Sequence, residues 1–179
     1  VLGLGETDLV ASPANAIIDT QGQSNPNAND YGYALASISG MEKTKAVSTL
    51  VVIDDLTQMI INGALTSAAK YDLISGAAVA GLDMSMFATK VGGESIVPIA
   101  NAIQTIASGG VANMTLTPAD FAKIGVLGVT TENLGELLSD IATKKNTLSE
   151  VQTVNGLTNI VIECIAVSVS NAASEATGA

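Results

Sequence analysis

Histidine, arginine and tryptophan are missing from this sequence, and cysteine occurs once. Without histidine there is no imidazole to act as general base, to activate a serine or cysteine, or to bind a metal. Without arginine the chain lacks the planar fork that clamps phosphates and reads guanine edges. Its seven basic residues are all lysine, against seventeen acidic ones, for a formal net charge of −10. Such a surface repels nucleic acid and anionic lipid alike. A lone Cys164 excludes an intrachain disulfide. Its neighbours Ile160, Val161, Ile162 and Ile165 mark it as a buried thiol behaving as a small hydrophobe. With only two Phe and three Tyr, a 47% hydrophobic chain of 179 residues must build its core from aliphatic side chains. Long apolar runs are scarce too. The best candidate, residues 160–169, is shorter than the roughly 18 residues of a membrane span and carries Glu163, so it reads as a core helix, and no membrane insertion is expected. The chain opens at Val1 with no basic leader before an apolar run, so a secretory signal is expected to be absent or already removed.

Short chemical motifs do not survive inspection. Ser67-Ala68-Ala69-Lys70 matches S-x-x-K, in which a lysine activates a serine, but the companion K-T-G and S-D-N elements are absent and Lys70 reads as a solvated helix residue. Gly3-Leu4-Gly5 is a fragment of a dinucleotide loop without its third glycine. Asp54-Asp55 is an adjacent acidic pair, yet neighbouring helix residues point apart, so a polar face is the reading rather than a cation site. Asn113-Met114-Thr115 is a formal glycosylation triplet. Met59, Met84 and Met86 read as fillers of core gaps. No catalytic residue, cofactor or metal ligand is expected, and the chain is not expected to be an enzyme.

What is present is a strongly punctuated stretch at residues 116–134. Thr117 and Thr130 stand where side-chain oxygens cap helix starts, and Pro118 occupies a first helical position that needs no N–H. Asp120 completes a capping box with Thr117. Leu116 with Phe121, and Val129 with Leu134, have the spacing of hydrophobic staples. Gly125 and Gly128 flank Val126 and Leu127, so a short helix ends, the chain turns, and a second helix begins.

The pattern L-T-x-x-D-F-x-x-x-G-V-x-G-V-T-x-E-N-L resembles the helical repeat of very large secreted bacterial surface proteins and adhesins, some with RTX-type export. Gly125, Val126, Gly128, Val129, Thr130, Asn133 and Leu134 stand as in that pattern, whereas Phe121, Leu127 and Glu132 replace its usual Tyr, Thr and Asp. The resemblance covers about residues 100–171. It implies an extracellular or cell-surface setting and a structural or adhesive role, with no chemistry.

Elsewhere the punctuation is uneven. Residues 1–46 have loop composition, notably QGQSNPNAND, and Asp30-Tyr31-Gly32-Tyr33 opens either a short helix or an extended segment. Gly3, Leu4, Asp8 and Leu9 faintly echo Gly128, Val129, Asn133 and Leu134, as the rump of an earlier repeat would. Val47, Leu50, Val51, Ile53, Leu56, Met59 and Ile60 predict an amphipathic helix stopped by Asn62-Gly63, with Asp54, Asp55 and Gln58 on its outer side. Thr66 to Ile74 predicts a short helix ending near Gly76. Gly81, Leu82, Asp83 and Phe87 can be laid on Gly128, Val129, Thr130 and Leu134 at an offset of 47, implying a period of about 47 to 50 residues. Another helix runs through Ile96, Ile99, Ile103 and Ile106 to Gly109-Gly110. Leu134, Leu137, Leu138 and Ile141 form a one-faced stripe closed by Lys144-Lys145. Thr147 and Glu150 box the start of a last segment, whose β-branched end leaves a strand open beside the favoured helix.

These readings make an all-α protein: a loop-rich N-terminal segment (1–46), then two related antiparallel helical units in series (47–110 and 111–179). The expected function is a helical spacer or adhesive unit of a bacterial surface or biofilm-matrix protein. Its expected partners are copies of itself or adjacent repeats. A subunit of a self-assembling extracellular filament is one alternative, and a carrier of a small apolar ligand between helices is another.

Overall fold

The computed structural model describes residues 30–143 and 148–177. It is all-α apart from one small hairpin: α1 (Asp30–Lys45), α2 (Thr49–Gln58), β1 (Ile60–Ile61), β2 (Ala64–Leu65), α3 (Ser67–Val79), α4 (Met84–Val91), α5 (Val97–Ala107), α6 (Pro118–Lys123), α7 (Leu134–Thr143), α8 (Leu148–Val151) and α9 (Val154–Thr177). The segments suggested for Gly3 to Leu9, the Lys144-Lys145 helix end and the Thr147 cap lie outside the described residues.

The molecule is arranged around α3. Thr66 caps it by accepting from the Ala69 N–H at 3.2 Å, and every residue from Tyr71 to Ala77 is buried. A helix surrounded by others needs no polar face, so amphipathic spacing could not have found its full length. Gly76 does not end it. It lies inside α3 because α1 crosses there: a Cβ on Gly40 would stand 1.8 Å from the Gly76 carbonyl oxygen. Of the two forms open for the segment that begins at Asp30, the helix is the one present, and it runs to Lys45 within the stretch expected to be loop-rich. Ala34, Ser37 and Gly40 are small because the two backbones nearly touch, and that smallness mimics loop composition.

The inward face of α2 is narrower than its apolar spacing predicts. In α2 the buried side chains are Val52 and Leu56, while Val47, Leu50, Val51 and Ile53 are exposed. Asn62-Gly63 does stop the helix, but through a hairpin: both residues have positive φ, 52° and 76°, and Ile60 pairs with Leu65, Ile61 with Ala64. That is the backbone twist a two-residue Asn-Gly loop favours.

At the corner, residues 116–134, α6 starts at Pro118, and α7 starts at Leu134 rather than directly after Thr130. Asp120 Oδ2 accepts from the Thr117 N–H at 2.9 Å and from its hydroxyl at 2.7 Å. Gly125 and Gly128 adopt left-handed φ of 92° and 84°. Leu116 and Phe121 are buried, and Val129 and Leu134 pack against the core. Asn133 holds the turn together: its Oδ1 accepts from Thr130 N–H at 2.8 Å and its Nδ2 donates to the Gly128 carbonyl at 2.9 Å. Asn133→Ala is therefore expected to cost about 1 kcal/mol, with Asn133→Asp costing less because it keeps the acceptor; urea unfolding measures both.

Asp83 caps α4 and Phe87 is its buried staple. Gly81 and Gly128, laid on each other at the offset of 47, share left-handed φ of 81° and 84°. Residues 110 and 111 do not separate two packing units. One continuous core runs from Tyr33 to Cys164, and α3 and α5 pack on α9 and α8 across that boundary.

The last segment is helix, and longer than a core helix. Val154–Ser174 has the length and composition to cross a membrane, and 22% of that window is buried. Leu157, Ile160, Val161 and Cys164 lie in the core, whereas residues 165–174 are exposed.

Candidate functional site

The polar centre of the fold sits where α9 begins. Asp72 on α3 is 1% exposed, and its Oδ1 accepts from the Val154 N–H, the first of α9, at 2.8 Å. Its Oδ2 lies 3.6 Å from Lys45 Nζ at the end of α1. Lys45 is also 2.9 Å from Asp55 of α2. One ammonium is thus shared by two carboxylates from different helices. Beside it, the Tyr71 hydroxyl donates to the Val151 carbonyl of α8 at 2.6 Å, and Thr44 donates to Gln152 at 3.2 Å. Gly156 completes the α8–α9 turn, because a Cβ there would lie 1.9 Å from the Glu150 carbonyl oxygen.

Burial dominates the electrostatics. Loss of solvent pushes Asp72 up from 3.8 to about 6, against the opposing pull of the Val154 N–H and Lys45, while Asp55 adds a smaller upward push. Tyr71 is raised by the same burial and then by its charged neighbour Asp72. A groove of about 560 Å³ opens over this cluster, lined by Lys45, Asp55, Met59, Asp72 and residues 153–156 and 158 among others. What the arrangement does chemically is fasten: it ties the start of α9 to α1, α2 and α3. Nothing in the sequence singled out Asp72 or Lys45. The available signal was an Asp inside an otherwise uncharged helix core, Tyr71 to Ala77.

The residues weighed for chemistry are scattered. Lys70 is not merely solvated: its Nζ donates to the Gly92 carbonyl at 2.9 Å, tying α3 to the left-handed end of α4. Ser67 is exposed at the start of α3. Asp55 pairs with Lys45, while Asp54 accepts from Gln58 at 3.1 Å. Met59 and Met84 pack against the core but Met86 is exposed, and Met41 is the methionine most fully buried. Among the described residues, no group of three or more Cys, Asp or Glu side chains converges as a metal site would require.

Cys164 is buried, and its Sγ donates to Asp140 Oδ2 at 3.2 Å. Burial first, then the Asp140 carboxylate, push the thiol up to about 12. A disulfide reagent at pH 8 is expected to react at least about 100-fold more slowly with the folded protein than with the urea-unfolded chain, because the thiolate is the reactive form. Equal rates would contradict this burial.

The fold and this centre define an all-α helical protein whose buried polar cluster is spent on holding helices together. No protein-family model, curated protein or solved structure matches the chain.

Proposed function

We propose that this chain is a structural assembly unit, a helical spacer or adhesive segment of an extracellular bacterial surface or biofilm-matrix protein. The observation that carries the reading is the division of labour in α9. Its start is fastened inward by Asp72, while its later turns present Ile162, Ile165, Val167 and Val169 to solvent. Apolar side chains grouped on one exposed element mark a contact surface. The corner at 116–134 supports the same role, since it sets two helices at a fixed turn through caps and glycines. The groove over Asp72 holds three charged side chains, Lys45, Asp55 and Asp72, which weighs against an apolar ligand there.

A filament subunit is the second reading. Leu50 and Ile53 on α2 and Ile61 on β1, with Val47 just before α2, form exposed apolar surface on elements other than α9. Two different contact surfaces permit head-to-tail growth, and electron microscopy at rising concentration would reveal it. For the main reading, beads coated densely with the purified chain are expected to cluster in suspension while albumin-coated beads stay dispersed. Failure to cluster at saturating density would overturn the assembly role.

A further inference from the structure

α9 changes character at Cys164. Its inner face is held to the body, with Ser168 donating to Glu136 of α7 at 3.2 Å, and this turns the opposite face outward. There Ile162, Ile165 and Val169 remain 58%, 41% and 64% exposed. With Ala166 and Ala173 they follow the repeat of a helix-pairing seam.

We propose that this seam pairs antiparallel with the same seam of a second copy of the chain, about a two-fold axis passing between Ile165 and Ala166. The proposal rests on the assembly reading and names its partner and surface. Three observations select a second copy. The first is self-complementarity. In this register Ile162 meets Val169, while Ile165 meets the small Ala166 and Thr158 the small Ala173. A parallel pairing would set Ala166 against its own copy and Ala173 against its own, leaving gaps that close packing does not tolerate. The second is charge. In a chain of net charge −10, the stretch Val154–Ser174 carries one charged side chain, Glu163, and it projects off the seam. Two acidic bodies therefore approach with least repulsion along α9. The third is extent. Pairing over residues 158–173 runs about 24 Å. That buries less than the roughly 1,200 Å² of a standard stable interface. The result is a reversible, closed dimer with Kd on the order of 0.1 mM.

Sedimentation equilibrium on the full chain, from about 10 µM to about 1 mM, tests the pairing across its expected Kd. The mass is expected to rise from monomer toward dimer. Ile162→Lys and Val169→Glu should each hold the protein monomeric, since each places an unpaired charge in the seam. Combined, I162K/V169E should recover the dimer, because the ammonium of one copy then meets the carboxylate of the other, and a parallel pairing could not give this rescue. Circular dichroism melts establish that the variants fold. A constant monomer mass through about 1 mM, a dimer indifferent to both single substitutions, or sedimentation with phosphatidylcholine vesicles in place of dimerisation would each overturn the proposal, the last assigning the face to lipid. Bead clustering without dimerisation through α9 removes this pairing and leaves the assembly role. Dimerisation without clustering does the reverse.

Discussion

Gly40→Ala is expected to destabilise the protein by at least about 3 kcal/mol, at or beyond the upper end of ordinary overpacking. The added Cβ would stand 1.8 Å from the Gly76 carbonyl oxygen and 2.6 Å from its carbon. Those are backbone atoms of a buried helix, so no side chain can swing aside. Relief requires α1 to move away from α3, which opens the contact between Tyr33, Ser37 and Met41 on one side and the all-round buried turn of α3 on the other. Gly76→Ala meets the same contact from the other side, 2.5 Å from the Ser37 carbonyl oxygen, and should cost a similar amount. Gly135→Ala is the control. A Cβ there meets nothing within 4 Å, and alanine in a helix is worth up to about 1 kcal/mol over glycine. Urea unfolding followed by circular dichroism should therefore move the midpoint sharply down for the first two and slightly up for the third. A Gly40→Ala protein as stable as the parent would mean that α1 does not cross α3 at this point.

The second large effect belongs to Asp72. Its folded value of about 6 lies above the ordinary 3.8, so the fold prefers the neutral acid. The associated stability is fully present below about pH 4 and is lost as pH rises through 6, amounting to about 3 kcal/mol by pH 7. Considered alone, this carboxyl makes the protein more stable at pH 5 than at pH 7.5. The groups facing it set the size of the effect: Lys45 from α1, Asp55 from α2, Tyr71 beside it on α3, and the Val154 N–H of α9. Asp72→Asn keeps an oxygen for the Val154 N–H and removes the buried charge, so it should flatten this part of the pH dependence, matching the parent near pH 4 and exceeding its stability at pH 7. Asp72→Ala leaves that N–H buried and unanswered and takes away one partner of Lys45, a loss of about 2 to 3 kcal/mol near pH 5. Thermal melts of the three proteins between pH 4 and 8 separate these outcomes. A parent and an Asn variant with the same pH slope would show that Asp72 is not the group responsible.

Where local rules act alone, the chain could be read directly. The capped corner at 116–134 formed with its staples and left-handed glycines in place, because caps, proline at a first turn and glycine at positive φ depend on residues within a few positions of each other. The stripe of α7 and the isoleucines of α5 were legible for the same reason: each has one face inward, so periodicity carries the signal. Asn62-Gly63 was seen as a stop, though not as a hairpin, since the flanking pairs are only two residues long.

What failed was whatever another helix decides. α1 could not be told from an extended segment because glycine, alanine and serine serve a close crossing with α3, thirty-odd positions away. The inward face of α2 was read too wide because its apolar side chains outnumber the sites the core can take, leaving Leu50, Val51 and Ile53 outside. The Lys45–Asp55–Asp72 cluster joins three helices and has no footprint in any one of them. By itself, then, the sequence determined the all-α class, the capped corner, an arginine-free acidic surface and the lack of a histidine for catalysis. Only the tertiary structure decided that one core unites the helices, that the buried carboxyl fastens α9, and that the far half of α9 faces outward. Local propensity acts through neighbours in the chain, whereas burial depends on which distant surfaces meet.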